Sequence, residues 1–404
     1  MKSKFLQLSF TPLLALCAVA CGSDDDADDD VVTATLPANA NEVVTQYAEI
    51  VSASYSDALT SARALDTSVT SFVAAPSAAG LTAAKTAWLA SREPYLQTEV
   101  YRFYDGPIDN AEDGPEGLLN AWPLDENYID YVVGVGGDTA GMVNDPQMII
   151  DKDAIIGANE GVDEKSISTG YHAIEFLLWG QDRDENGPGN RPFTDYVTGT
   201  TGTAANQDRR GQYLTTVSDL LVENLQTLVD AWAPNAANNY RADFLAETPA
   251  SSLGKILSGM IILSGFETGG ERLQAALEAG DQEEEHSCFS DNTHRDMVQD
   301  VRGVRNVWVG SYTKLDGTSE SGANLRDVIA AGDVSLARQI SDRIDESLTL
   351  AEALQSPFDR EIAPGNAAGN ARVQALVESL FTQRQLLEQA FQLYGLTRIP
   401  DPTP

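Results

Sequence analysis

Apolar residues along this chain recur at spacings of three and four, the period of helices buried along one face. Val43, Val44, Tyr47, Ile50, Val51 and Tyr55 set that period over residues 41 to about 64. Residues 81–104 repeat it, with Trp88, Tyr95, Glu99 and Arg102 on one stripe and Pro94 placed to kink or restart the helix. Residues 209–231 carry Tyr213, Val217, Leu220, Leu221, Leu225 and Leu228 in the same rhythm. A longer helix is predicted over 252–279, with Leu257, Met260, Ser264, Glu267 and Glu271 along one stripe. Gly265 and Gly269-Gly270 interrupt it and allow a bend or a close backbone approach. Further helices are predicted over 325–354 and 372–394, and no strand pattern of any length emerges. The expected fold class is all-α. Residues 105–163 read as loop, apart from a short helix over 126–133. An irregular stretch that long is more often functional than filler.

One helix departs from the amphipathic rule. The run Gly170-Tyr171-His172-Ala173-Ile174-Glu175-Phe176-Leu177-Leu178-Trp179-Gly180 is apolar almost throughout, yet it holds a histidine and a carboxylate three apart. At that spacing both lie on one face. Gly180 suits a helix C-cap, and 181–192 then reads as loop. A buried carboxylate requires a cation, a metal or several donors, so His172 and Glu175 either satisfy each other or serve a ligand. Further carboxylates fall on inward stripes: Glu99, Glu267 and Glu271. Asp291 and His294 open the helix after the run Glu285-His286-Ser287-Cys288-Phe289-Ser290-Asp291-Asn292-Thr293-His294. Ser290 or Asp291 is the expected N-cap.

Composition narrows the setting. Lys2 and Lys4 precede an apolar run, Leu6 to Ala20, that is too short to span a bilayer. Ala18-Val19-Ala20-Cys21 resembles a lipobox, although Ala18 stands where leucine is usual. The expected organisation is a signal peptide over 1–20, lipidation at Cys21, an acidic tether over 21–40 and a folded remainder held to the membrane by lipid alone. The formal charge of -35 disfavours nucleic acid as a partner. Three cysteines, two of them in or at the end of the leader, exclude a disulfide framework or a cysteine metal cluster. With only three histidines, a metal site must draw on oxygen ligands.

The Gly-x-His-x-x-Glu motif at Gly170, His172 and Glu175 resembles the signature of the imelysin family of bacterial envelope proteins. The runs 169–180 and 285–294 resemble its iron-regulated branch, over residues 41 to 397. The resemblance implies two related helical bundles, here expected over 41–204 and 205–397, with the His-Glu motif facing the second. It also carries two functional expectations, iron uptake and metallopeptidase activity. Neither His-x-x-Glu-His nor His-Glu-x-x-His is present, which argues against a zinc peptidase. One imidazole with several carboxylates suits iron, without selecting against calcium or manganese. The expectation is an iron-binding envelope lipoprotein on the periplasmic or cell-surface face of the outer membrane. Its partners would be a metal ion or iron chelate and an iron-uptake transporter. His172 and Glu175 are the ligands taken from the motif. Glu99, Glu271 and Asp291 are added from stripe geometry, with Arg102, Arg272, Glu267 and His294 in support. Haem or an iron chelate remains an alternative ligand.

Overall fold

The computed structural model describes residues 33–133, 141–397 and 399–400. The expected signal peptide, Cys21 and most of the tether lie outside the described residues. The first helix runs Ala40–Ala74, ten residues beyond the predicted end, because Leu65, Val69 and Phe72 continue its buried face. Ala78–Leu96 returns alongside it. Pro94 sits in the last turn of that second helix, where its missing N–H removes one bond of the ladder; the helix ends two residues later, and the predicted continuation to residue 104 fails. A short 3-10 turn, Glu99–Tyr101, takes its place. The described residues of the predicted loop stretch, 105–133 and 141–163, are mostly loop, punctuated by the short helices Glu116–Leu119, Glu126–Ile129 and Lys152–Ala158.

The motif helix, Gly170–Trp179, has every residue buried. It packs on Ala78–Leu96 and on Gln207–Ala231, and the latter also lies along the first helix. The helix assigned by sequence to the second bundle therefore shares a core with the first half of the chain. The predicted C-cap holds: Gly180 has φ +72, and its N–H donates to the Phe176 carbonyl at 2.7 Å. A buried ion cluster closes the far side of this region. Asp130 accepts from Arg210 at 2.6 and 3.0 Å and from Arg191 at 2.8 Å, with all three residues buried.

The predicted helix over 252–279 forms as three pieces of one rod. Pro249–Ile262 is α-helical, Leu263–Gln274 is π-helical and Ala275–Ala279 is α-helical again. The glycines have a physical role here, since a Cβ on Gly265 would stand 2.2 Å from Arg384 Cδ. The predicted helix over 325–354 breaks into Leu325–Gly332 and Val334–Glu352, where Asp333 caps the second by accepting from the N–H groups of Ser335 and Leu336. The chain closes with Ala367–Tyr394, which packs on Val334–Glu352 and on the π-helical stretch. One small ribbon, Ser311–Thr313 paired antiparallel with Ser319–Ser321, was not predicted, because three residues are too few to show alternation. The fold is otherwise all-α, as expected. Among the described residues no helix is long and apolar enough to cross a membrane.

Candidate functional site

The motif helix begins on a glycine for two local reasons. Gly170 has φ +80, and a Cβ there would lie 2.5 Å from the Leu119 carbonyl oxygen. The tight approach sets His172 and Glu175 under the 116–123 segment. Both side chains are fully buried. His172 Nδ1 lies 2.9 Å from Glu175 Oε2. The other oxygen, Oε1, accepts from the Ser290 N–H at 2.9 Å and its hydroxyl at 2.6 Å. Burial pushes the Glu175 carboxyl up to about 8, against the pull of these Ser290 bonds. Burial, then the neighbouring His286, push the His172 imidazole well down, so it is neutral. Its Nε2 is buried and has no hydrogen-bond partner.

A second histidine repeats the arrangement. The His286 ring is centred 4.9 Å from that of His172, and its Nδ1 lies 2.7 Å from Asp296 Oδ2. Burial lowers the His286 imidazole to about 4. Asp296 also accepts from the Ser287 hydroxyl at 2.5 Å, from Arg92 at 3.1 Å and from Asn292 at 3.1 Å. Burial alone would raise the Asp296 carboxyl, but Arg92 and His286 hold it well below the carboxylate range. Asn120 donates to His286 Nε2 at a long 3.4 Å. The indole of Trp122 covers His172, with ring centres 5.0 Å apart.

His286 and Trp122 line a cleft of about 520 Å³. Glu116, Glu160, Glu164, Glu267, Glu271 and Glu284 also line it, opposed by Arg102, Lys165 and Arg272. The predicted residues distribute unevenly around this cleft. Glu99 is fully buried, but Oε2 is held by Arg272 at 2.6 Å and by Arg102 at 2.8 Å, while Oε1 has no partner. Burial would raise the Glu99 carboxyl; Arg102 and Arg272 bring it down to about 2. Arg272 also binds Asp300 at 2.9 Å and Glu267 at 2.9 Å.

Glu271 is exposed at the cleft, away from the buried pair. The π-helical turn explains this. Its backbone bonds run from i to i+5, so Glu267 faces Arg272, and Glu271 rotates outward from the stripe that an α-helix would have made. Asp291 turns to a different place, a buried group with Asp182 and Asp359. It is not the N-cap; the helix Thr293–Val309 starts from Asn292. His294 is half-buried, with Nδ1 3.1 Å from the Asp291 carbonyl. The five carboxylate and imidazole ligands expected from sequence therefore do not gather as one set.

Sequence reasoning missed His286, Asp296 and Asp300. His286 lies outside any helix, so no periodicity points to it, and Asp296 meets it across a ten-residue turn. The available signal was scarcity: all three histidines lie in the two runs that carry the resemblance.

The comparisons with known proteins fall on this architecture. The imelysin family, Peptidase_M75, matches over residues 51–387. A curated relative, iron-regulated protein A of Synechococcus elongatus, is 25% identical over 333 residues, covering 78% of this chain and 76% of that protein. A crystal structure from Parabacteroides distasonis, described as an iron-regulated protein A precursor, superposes with a TM-score of 0.67 at 19% identity, covering 89% of this chain and 96% of the other. An imelysin-like protein from Psychrobacter arcticus superposes with a TM-score of 0.64 at 14% identity, over 91% and 99% of the two chains. The solved structures share the helical fold, and the family match spans most of the folded region with the Gly-x-His-x-x-Glu helix inside it: this chain belongs to the imelysin family.

Proposed function

We propose that this protein is a lipid-anchored, iron-binding protein of the cell envelope that serves iron uptake. The observation that carries the reading is His172 Nε2, a fully buried nitrogen with no partner, beside a second imidazole. An unsatisfied buried polar atom costs about 1–3 kcal/mol, a penalty that a ligand at that atom removes. Each imidazole has a carboxylate behind its Nδ1, the arrangement that orients metal-binding histidines and raises their basicity. Burial raises the Glu175 carboxyl to about 8, so binding a cation must first release its proton; the ionised carboxylate then accepts from the His172 Nδ1–H and leaves the Nε2 lone pair free. His172 and His286 would hold the metal, and Glu175 and Asp296 would orient them. Imidazole nitrogen suits iron among other transition metals. Six carboxylates against three cations along the cleft favour entry of a cation. The relatives described as iron-regulated support iron as the metal.

Two other readings fare worse on the geometry. A peptidase that used the motif carboxylate as its base would need it free, whereas both oxygens of Glu175 are engaged by His172 and Ser290. Haem needs a wide apolar cleft, and this one is charged.

The test is an Fe(II) and Fe(III) titration of the full chain beside His172→Ala. Stoichiometric iron should bind to the parent and be lost in the variant, with helicity by circular dichroism unchanged. Equal affinity in the two proteins would remove His172 from the site. Anchoring through Cys21 is tested by Cys21→Ser, which should shift the protein from the membrane fraction to the soluble one; retention at the membrane would refute the anchor.

A further inference from the structure

Three carboxylates from distant parts of the chain meet outside the two-histidine site. Asp182 lies in the loop after the motif helix, Asp291 in the turn before Thr293–Val309, and Asp359 opens the short helix Asp359–Ile362. One oxygen from each lies within 4.8 Å of the other two. The residues are 3%, 3% and 5% exposed. Both oxygens of Asp291, both of Asp359 and Oδ2 of Asp182 accept no hydrogen bond. A fourth carboxylate supports the same conclusion from outside the trio. Glu285 is 0% exposed, no cation pairs with either of its oxygens, and Asp359 and the Thr293 side chain stand against it.

Four carboxylates in one buried place without a counter-charge are a liability. Among the described residues no lysine or arginine pairs with any of these unpartnered oxygens. Burial, then Asp359 and Asp182, push the Asp291 carboxyl up to about 8. Burial is also the main cause that brings Asp182 up to about 6. The cluster must therefore either take up protons or take up a cation. The Arg-paired carboxylates elsewhere in this protein show the contrast: Asp130 and Asp296 have their cations built into the fold.

We propose that Asp182, Asp291 and Asp359, with Glu285 beside them, bind one hard divalent cation of the calcium class. The donor set is entirely carboxylate oxygen, which suits calcium rather than a metal that prefers nitrogen or sulfur. The ion would tie three segments together: the 181–192 loop, the 285–292 turn and the start of the Asp359–Ile362 helix. The middle segment also carries His286 and Ser290, the latter bonded to Glu175. The cation therefore fixes the turn from which half of the two-histidine site is built. Neither His172 nor His286 is a ligand, so the proposal stands apart from iron binding.

The full chain, stripped with a chelator and dialysed, is titrated with calcium chloride by calorimetry, and its melting temperature is read with and without the ion. One calcium per chain should bind and raise the melting temperature. Asp359→Asn should weaken calcium binding at least tenfold and abolish the rise. Asp291→Asn should do the same, and asparagine tolerates the φ of +57 found at that position. Glu283→Gln, at an exposed acid nearby, should change neither. The proposal is overturned if the parent shows no binding heat and no thermal shift. It is also overturned if calcium binding survives in whichever of the two asparagine variants folds. A higher melting temperature of Asp359→Asn than of the parent in chelator, with no calcium effect on either, would mean that the cluster holds protons instead.

Discussion

At the scale of single residues, the site depends on which nitrogen of His172 carries the proton. An ionised Glu175 accepts from Nδ1 and leaves Nε2 as a ligand atom. Glu175→Gln places a neutral amide there and weakens that choice. Iron affinity should fall about 10–100-fold, the usual effect of losing a carboxylate behind a metal-bound histidine. An isothermal titration that finds unchanged affinity would show that Glu175 does not orient the ring. Gly170 makes the second residue-scale prediction. Gly170→Ala puts a Cβ 2.5 Å from the Leu119 oxygen at a φ of +80. The variant should lose about 1–3 kcal/mol in urea unfolding. A loss below about 0.5 kcal/mol would mean that the helix start shifts freely.

At the scale of elements, periodicity located the long helices, because each has a buried stripe against a neighbour. It misjudged where they change geometry. The π-helical stretch Leu263–Gln274 keeps an α-like pattern of apolar residues, so an i, i+4 stripe put Glu267 and Glu271 together. The longer repeat separates them and brings Arg272 to Glu267 instead. Glu271→Ala should therefore change stability by less than about 0.5 kcal/mol, the range of an ordinary surface substitution. Glu267→Ala should cost about 1–3 kcal/mol, because Arg272 and Arg102 each lose a partner. Equal effects would restore the α-helical reading. Of the site, the motif helix was legible, because a histidine and a glutamate in an apolar run violate the pattern around them. His286 and the Asp182–Asp359 contact were not, because they sit in turns whose meeting depends on tertiary packing.

At the scale of the whole molecule, the large negative charge faces water while a set of arginines is buried with carboxylates inside. The Asp130 cluster is a defined case. Burial alone would raise the Asp130 carboxyl, but Arg191 and Arg210 hold it below the usual range. A carboxyl lowered in the folded state stabilises the protein above the unfolded value, about 3.9, and that contribution is lost as pH falls through the folded value. Stability from this group is therefore constant at neutral pH and declines in the acid limb below about pH 4. Asp130→Asn should cost about 3–5 kcal/mol at pH 7, because two buried guanidiniums lose their carboxylate. Urea unfolding at pH 7 and pH 3 should show the gap between parent and variant shrinking at the lower pH. A gap that widens on acidification would contradict the assignment.

The same cluster gives descent a direction. Arg210 alone keeps two bonds to Asp130, so a lineage that first loses Arg191 still has a satisfied carboxylate. A lineage that first loses Asp130 leaves Arg191 with the longer 3.6 Å contact to Asp195 and Arg210 with backbone carbonyls, so that order is the costlier one. Neutral drift dismantles this network more readily from the arginine side, and a descendant caught partway would carry, as a trace of the route, a shared acid whose second cation is gone.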